Sequence, residues 1–295
     1  MKKASTYLFS VFLTLLMIVS LLGTVGLFLM RFRALSAGTC LQLIQKQNLS
    51  ERVAQSLEKY YQEQENTSGI PLSVYEDSIT TSECDKYIRS SITNAFGYLN
   101  GTVDEFGIKP DFAELKADMT AFFEDYAEKN DYEKDEVYEN KLKQVLQTEQ
   151  AYIQTECDVF RFATLQEAGL LDKVKPYVPW VNIGLIGCLI ADAVLFVLLL
   201  VVNRKEKQHV WYWTGNAFLI SAILMMVPSI WLNVTRWFDK FAVKTDQIFA
   251  AVTGYLYGLT HAVITAAGVG ILVAVCFYIL FVIQHRMRNA RTNGR

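Results

Sequence analysis

Four long apolar stretches constrain this chain more than any other feature. They cover residues 7–30, 181–202, 211–232 and about 248–283. Each reaches or exceeds the ~20 residues that a helix needs to cross the hydrocarbon core of a bilayer. In lipid every backbone N–H and C=O must find its partner inside the segment, and a helix does that. The chain therefore reads as an all-α integral membrane protein with four transmembrane helices and a helical extracytoplasmic domain inserted between helices 1 and 2.

The transmembrane helices are expected at 7–30, 179–202, 211–232 and 257–284. The intervening pieces are a cytoplasmic N-terminus at 1–6, the outer domain at 31–178 and a cytoplasmic loop at 203–210. An extracytoplasmic loop and helix extension at 233–256 and a cytoplasmic tail at 285–295 complete the reading. The first stretch follows Met1-Lys2-Lys3 as a signal peptide would, but its 24 residues outrun a typical signal core. The sequence before Cys40 is a poor lipobox, because Thr39 precedes the cysteine. An uncleaved anchor is expected. The fourth stretch is longer than a bilayer core requires, so its helix must tilt or project at its N-terminal side.

Charge is sorted along the chain. The net charge is −2, yet residues 34–180 hold 26 of the 30 acidic residues and only 14 of the 28 Lys and Arg, a local net charge of −12. An acidic domain repels phosphate, so nucleic acid is not expected as a partner. Orientation follows from the basic flanks. Lys2, Lys3, Arg204, Lys205, Lys207, Arg286, Arg288, Arg291 and Arg295 fall on one side, joined by His285. Arg31, Arg33, Lys173, Lys175, Arg236, Lys240 and Lys244 fall on the other. The positive-inside rule makes the first side the cytoplasm, nine charges against seven. This puts both termini inside a cell membrane and the acidic domain outside. Tyr177, Trp180, Trp211, Tyr212, Trp213, Trp231, Trp237 and Phe238 sit where interfacial aromatics belong.

Apolar residues in 34–177 recur at three and four, as on helices. Asn48-Leu49-Ser50 reads as a cap or kink between two helices, and Gly69-Ile70-Pro71 as a break. Helix starts are expected near Thr81 or Ser82 and at Asp111 after Pro110. Ile88, Ile92, Phe96 and Leu99 form one stripe, ended by Asn100-Gly101; Phe112, Leu115, Met119, Phe122, Phe123 and Tyr126 form another. A last long helix is expected from about Asp135 to Ala168. The acid-rich run 125–136 lacks the central glycine of an EF-hand loop, so it reads as a solvated connection rather than a calcium site. No CxxC or zinc spacing exists among Cys40, Cys84, Cys157, Cys188 and Cys276, and no metal or cofactor is expected. One disulfide within the outer domain is open. Sequons at Asn48, Asn66, Asn100 and Asn233 all fall on the expected outer side.

Two features stand out within the apolar stretches. Asp192 lies near the middle of helix 2, where an ionisable residue is costly and faces the bundle. Gly184, Cys188 and Asp192 are spaced by four, which sets the acid on a small-residue face. Counted from the cytoplasmic ends, Ser20 and Ser221 fall at similar depth, so a midplane cluster of Asp192 with one or both of the Ser20 and Ser221 hydroxyls is expected. It serves either as interhelical glue or as a proton or ion relay. The second feature is Gly254, Gly258, Ala262, Ala266, Gly270 and Ala274, six small residues in steps of four on helix 4. Such a groove packs within the monomer or receives a second helix.

No nucleophile–base pair, P-loop, dinucleotide fingerprint or HExxH is present, and an enzyme is not expected. The leading expectation is a non-enzymatic envelope interaction or sensing protein acting through its acidic outer domain. Its partners would be the lipid bilayer and a protein, or a second copy, engaged through helix 4 or that domain. The order of one span, a long polar segment and three further spans resembles the layout of the ABC-linked MacB/FtsX class. That likeness of layout implies a transport-related membrane subunit. A carrier coupled to ions or protons through Asp192 is the third reading.

Overall fold

The computed structural model describes residues 2–107, 112–243 and 245–293, with side chains for 6–107, 112–243 and 245–288. It is all-helical, with no strand among the described residues. The helices are α1 Lys2–Leu29, α2 Ala37–Gln47, α3 Leu49–Ser68, α4 Thr81–Leu99, α5 Ala113–Lys129, α6 Glu136–Cys157, α7 Phe162–Glu167, α8 Leu170–Val174, α9 Val178–Val202, α10 Gln208–Val234 and α11 Asp246–Asn293. Four segments are long and apolar enough to cross a membrane: Thr6–Ala34, Leu170–Val202, Gln208–Val234 and Asp246–Arg288.

The chain divides into two compact units. An apolar bundle contains 1–36, 177–240 and 256–295; a polar unit contains 37–176 and 241–255. The helix α11 belongs to both, its residues 246–255 to the polar unit and the rest to the bundle.

In the bundle α1 and α9 pack antiparallel, so numbers rise along one as they fall along the other. Asn203 meets Ser10, Gly23 faces Cys188, and Gly184 faces Leu27. A Cβ added at Gly23 or Gly184 would stand 3.1 Å from the Cys188 Sγ or the Leu27 Cδ1, which is why small residues occupy these crossings. Leu13, Met17, Ile18, Leu21, Leu199, Val210 and Ala217 close the interior between α1, α9 and α10. On α10, a Cβ added at Gly215 would stand 3.3 Å from Tyr278 Cε1 and 3.4 Å from the Ala274 carbonyl oxygen, and Trp211 stacks on Phe277 at 5.8 Å. Large apolar side chains cover the exterior of α9, among them Ile183, Ile186, Ile190, Val194 and Val197.

The polar unit has an interior of the ordinary kind. Leu49, Val53, Leu57, Cys84, Ile88, Ile92, Leu115, Met119 and Ile153 are all buried there. Turn chemistry sets its corners. Asn48 takes the left-handed conformation (φ 50°) between α2 and α3, Gly69 ends α3 (φ 74°), and Thr80 caps α4 by accepting from the Glu83 N–H at 3.2 Å. The expected helix start at Asp111 after Pro110 falls outside the described residues, as does the Lys244 flank; the side chains of Lys2, Lys3, Arg291 and Arg295 are likewise outside. Two expectations need correction. The long helix from Asp135 to Ala168 is broken, because α6 stops at Cys157. The Asp158 carboxylate accepts from the Phe162 N–H (3.0 Å), the Ala163 N–H (2.8 Å) and the Ser91 hydroxyl (3.1 Å), which starts α7 on a new axis. Tyr126 leaves its stripe and is half exposed, while Leu115 and Met119 are fully buried.

Candidate functional site

Asp192 sits on α9 one turn from Cys188 and two from Gly184, and all three face α1. The hydroxyl that reaches it belongs to Thr24, whose Oγ1 donates to Asp192 Oδ2 at 2.7 Å. The expected cluster with Ser20 and Ser221 does not form. The Ser20 hydroxyl donates to the Cys188 carbonyl at 3.3 Å, and the Ser221 hydroxyl to the Phe218 carbonyl of its own helix at 3.0 Å. The geometry explains the shift. A helical side chain leans toward its own N-terminus. In an antiparallel pair the Asp192 carboxyl therefore leans toward later residues of α1 and meets Thr24, not Ser20. The other oxygen, Oδ1, is buried with no hydrogen-bond donor. Such an atom is a strong acceptor left unused in an apolar site.

The small-residue stripe of α11 does not act as one groove. Gly254 packs in the polar unit, where an added Cβ would stand 2.6 Å from the Gln47 Nε2 and 2.9 Å from the Leu43 Cδ1. Gly270 packs in the bundle, 3.3 Å from the Ala222 Cβ on the same measure, and Ala274 is fully buried. Gly258 is exposed and has open space where a Cβ would go. Ala262 and Ala266 are half-buried. Steps of four drift about 40° per turn on a 3.6-residue helix, so a strip this long visits several surroundings.

The polar unit offers three further groupings. A cavity of about 750 Å³ lies along α2, α3 and the start of α11, lined by Lys46, Glu51, Arg52, Lys59 and Asp246 among others. Three cations gathered there stand out in a unit of net negative charge. A tyrosine cluster follows, with Tyr61 stacked on Tyr75 (3.7 Å between centroids) and Tyr60 on Tyr152 (4.0 Å). The buried Tyr61 hydroxyl lies beside the Glu149 carboxyl without well-aligned hydrogen-bond geometry. Burial pushes Glu149 above the usual carboxylate range and Tyr152 up to about 12. Third, the Cys84 thiol donates to the Ile79 carbonyl at 3.6 Å, and the Cys157 thiol is raised first by its hydrogen bond to Cys84 and then by burial. All five cysteines are free thiols in this structure. In the acid-rich run, Asp125 pairs with Lys129 (2.7 Å) and Glu128 with Lys134 (3.2 Å), while Asp135 caps α6.

Thr24, Asp158 and the Lys46–Arg52–Lys59 cavity were not singled out by the sequence. For Thr24 the signal was its place one turn beyond Ser20 on the same face. For Asp158 it was an aspartate four residues ahead of a new apolar run. For the cavity the signal was partial: Lys46, Arg52 and Lys59 lie near one another in the chain, but Asp246 and Gln247, which complete the lining, come from far away.

Comparison of the chain with known protein families, with curated proteins and with solved structures finds no match.

Proposed function

We propose that this chain is a multi-pass protein of the cell membrane whose acidic helical unit faces outward and acts by binding another protein, without catalysing a reaction. One observation carries the reading. The polar unit recruits 37–176 and 241–255 and nothing else. Segments that fold together must lie on one side of a bilayer. These two share a side when α9 and α10 both cross it, which is the four-span topology. The apolar exterior of α9 supports the same reading, since a surface of Ile183, Ile186, Ile190 and Val194 needs lipid to cover it. The basic residues Arg204, Lys205, Lys207, Arg286 and Arg288 speak for the opposite side as the cytoplasmic one. A net charge of −12 on 34–180 makes a protein partner with a basic face the best fit, and nucleic acid a poor one. The unit also has four chain connections to the spans, so a partner bound to it is linked through the chain to α1, α9, α10 and α11.

The test is cross-linking of intact cells with an amine reagent that does not cross membranes. A defined partner linked to the full chain through lysines of 37–176 is expected, reduced several-fold at raised ionic strength, which screens an acidic face from a basic one. Labelling of Lys205 and Lys207 in place of those lysines would reverse the orientation. A unit that is labelled yet captures nothing would sink the binding role.

A second reading rests on Asp192 Oδ1, which is buried without a donor. A proton- or ion-linked carrier would use that acceptor. Ion flux in proteoliposomes that disappears in Asp192→Asn would favour it over the first.

A further inference from the structure

The connection between α9 and α10 borders a cavity of about 750 Å³ inside the apolar bundle. Its lining changes character from inside to outside. Ser10 and Asn203 are its buried polar part; the Asn203 Nδ2 donates to the Ser10 Oγ at 3.0 Å and to the Leu199 carbonyl at 3.0 Å. Tyr7, Tyr212 and Trp213 are its aromatic part, with Tyr7 set edge-on to Trp213 at 5.4 Å and Tyr212 edge-on to it at 5.3 Å. Arg204 and Lys205 are its exposed part, and neither makes an ion pair among the described residues. The lining has one acid, Glu206, whose oxygens are already engaged by the His209 Nδ1 at 3.0 Å and by Arg288 at 3.6 Å. The cavity thus presents two unanswered cations above aromatic walls, at the ends of helices made to lie in lipid.

We propose that this cavity is a binding site for the headgroup of an anionic phospholipid, with the phosphate on Arg204 and Lys205. A guanidinium holds phosphate oxygens through two parallel N–H bonds, and an ammonium adds a second point charge. Aromatic rings sit at the level of bilayer headgroups, and basic pockets between membrane helices select anionic lipids. A soluble phosphate ester would satisfy the cations but leave Tyr7 and Trp213 facing water; a lipid uses both parts of the lining. The inference requires that α1, α9 and α10 cross a membrane. It is independent of the polar unit's side and of any protein partner.

The experiment is native mass spectrometry of the full-length protein titrated with phosphatidylglycerol or phosphatidylcholine of matched chains. Two surface cations at about 1 kcal/mol each correspond to roughly 30-fold tighter retention of the anionic lipid. Arg204→Gln with Lys205→Gln should abolish that preference. Lys207→Gln, in the same connection but outside the lining, should keep it. Equal retention of the two lipids by the wild-type chain overturns the proposal, whatever the variants do. An equal loss in Lys207→Gln overturns it too, because the preference would then be general surface charge. Displacement of the lipid by glycerol 3-phosphate at equal concentration would reassign the site to a soluble phosphate ester.

Discussion

The two units of this chain hold together by different physics. The polar unit buries Leu57, Ile88, Met119 and Ile153 completely and leaves its charges outside. The bundle does the reverse: its exterior is apolar, and its contacts are made where Gly23, Gly184, Gly215 and Gly270 let helices approach closely. In water the hydrophobic effect drives burial; between helices in lipid it does not, and packing and a few polar bonds must suffice. The same residue type therefore has a different worth in each unit.

The largest expected effect tests this directly. Leu57 and Leu199 are both fully buried, one in each unit. Leu57→Ala should cost the polar unit about 2–5 kcal/mol in urea unfolding followed by tyrosine fluorescence. Leu199→Ala should cost the bundle roughly half as much in detergent-titrated unfolding, because only the lost packing remains. Equal losses would remove the distinction. Next comes the stripe on α11. Gly254→Ala pushes the ends of the Gln47 and Leu43 side chains aside, which offsets the helix propensity that alanine brings, so the polar unit should lose no more than about 1 kcal/mol. Gly258→Ala meets open space inside a helix and should stabilise by about 0.5–1 kcal/mol in thermal unfolding. A comparable loss at Gly258 with folding intact and an oligomer dissolved would point to a second helix at that position.

Smaller again is the polar bond inside the bundle. Thr24→Val removes the donor to Asp192, and interhelical bonds in membranes are worth about 0.6 kcal/mol, at most about 1.7. Asp192→Asn keeps an acceptor for Thr24 and should leave assembly unchanged on size exclusion. The smallest effect is a pH dependence confined to the polar unit. Glu149 binds its proton more tightly folded than unfolded, so stability falls as pH rises from about 4.5, its ordinary value, through the raised one. Glu149→Gln should flatten that slope, measured by unfolding at stepped pH. A slope unchanged by the substitution would assign it to another group.

Sequence alone carried the helical class and the four apolar segments, because a run such as 181–202 has no other stable state in lipid. It also carried the face of α9 on which Gly184, Cys188 and Asp192 lie, since spacing by four is a local property. It failed where the answer depended on a second element. Depth counted along Cα positions pairs Asp192 with Ser20, but side-chain lean moves the contact to Thr24. The bonds that Asp158 accepts at the break come from the nearby Phe162 and Ala163 N–H groups and also from Ser91, far away on α4, which spacing along the chain does not show. The six small residues of α11 looked like one surface because periodicity does not reveal that residues 246–255 pack in a different unit from the remainder.

That division of α11 sets an order of events in the making of the protein. The ribosome finishes residue 176 well before it reaches 255, and at roughly 5–20 residues per second the gap lasts several seconds. Throughout that interval α2 waits with Leu43 and Gln47 uncovered, and Glu156 waits for the Gln247 amide that later donates to it at 2.8 Å. Two further apolar segments, α9 and α10, are made before the missing piece arrives. A nascent chain stalled before residue 246 would carry an unfinished acidic unit, so quality control that senses the bare α2 surface would report on completion of the membrane part as well.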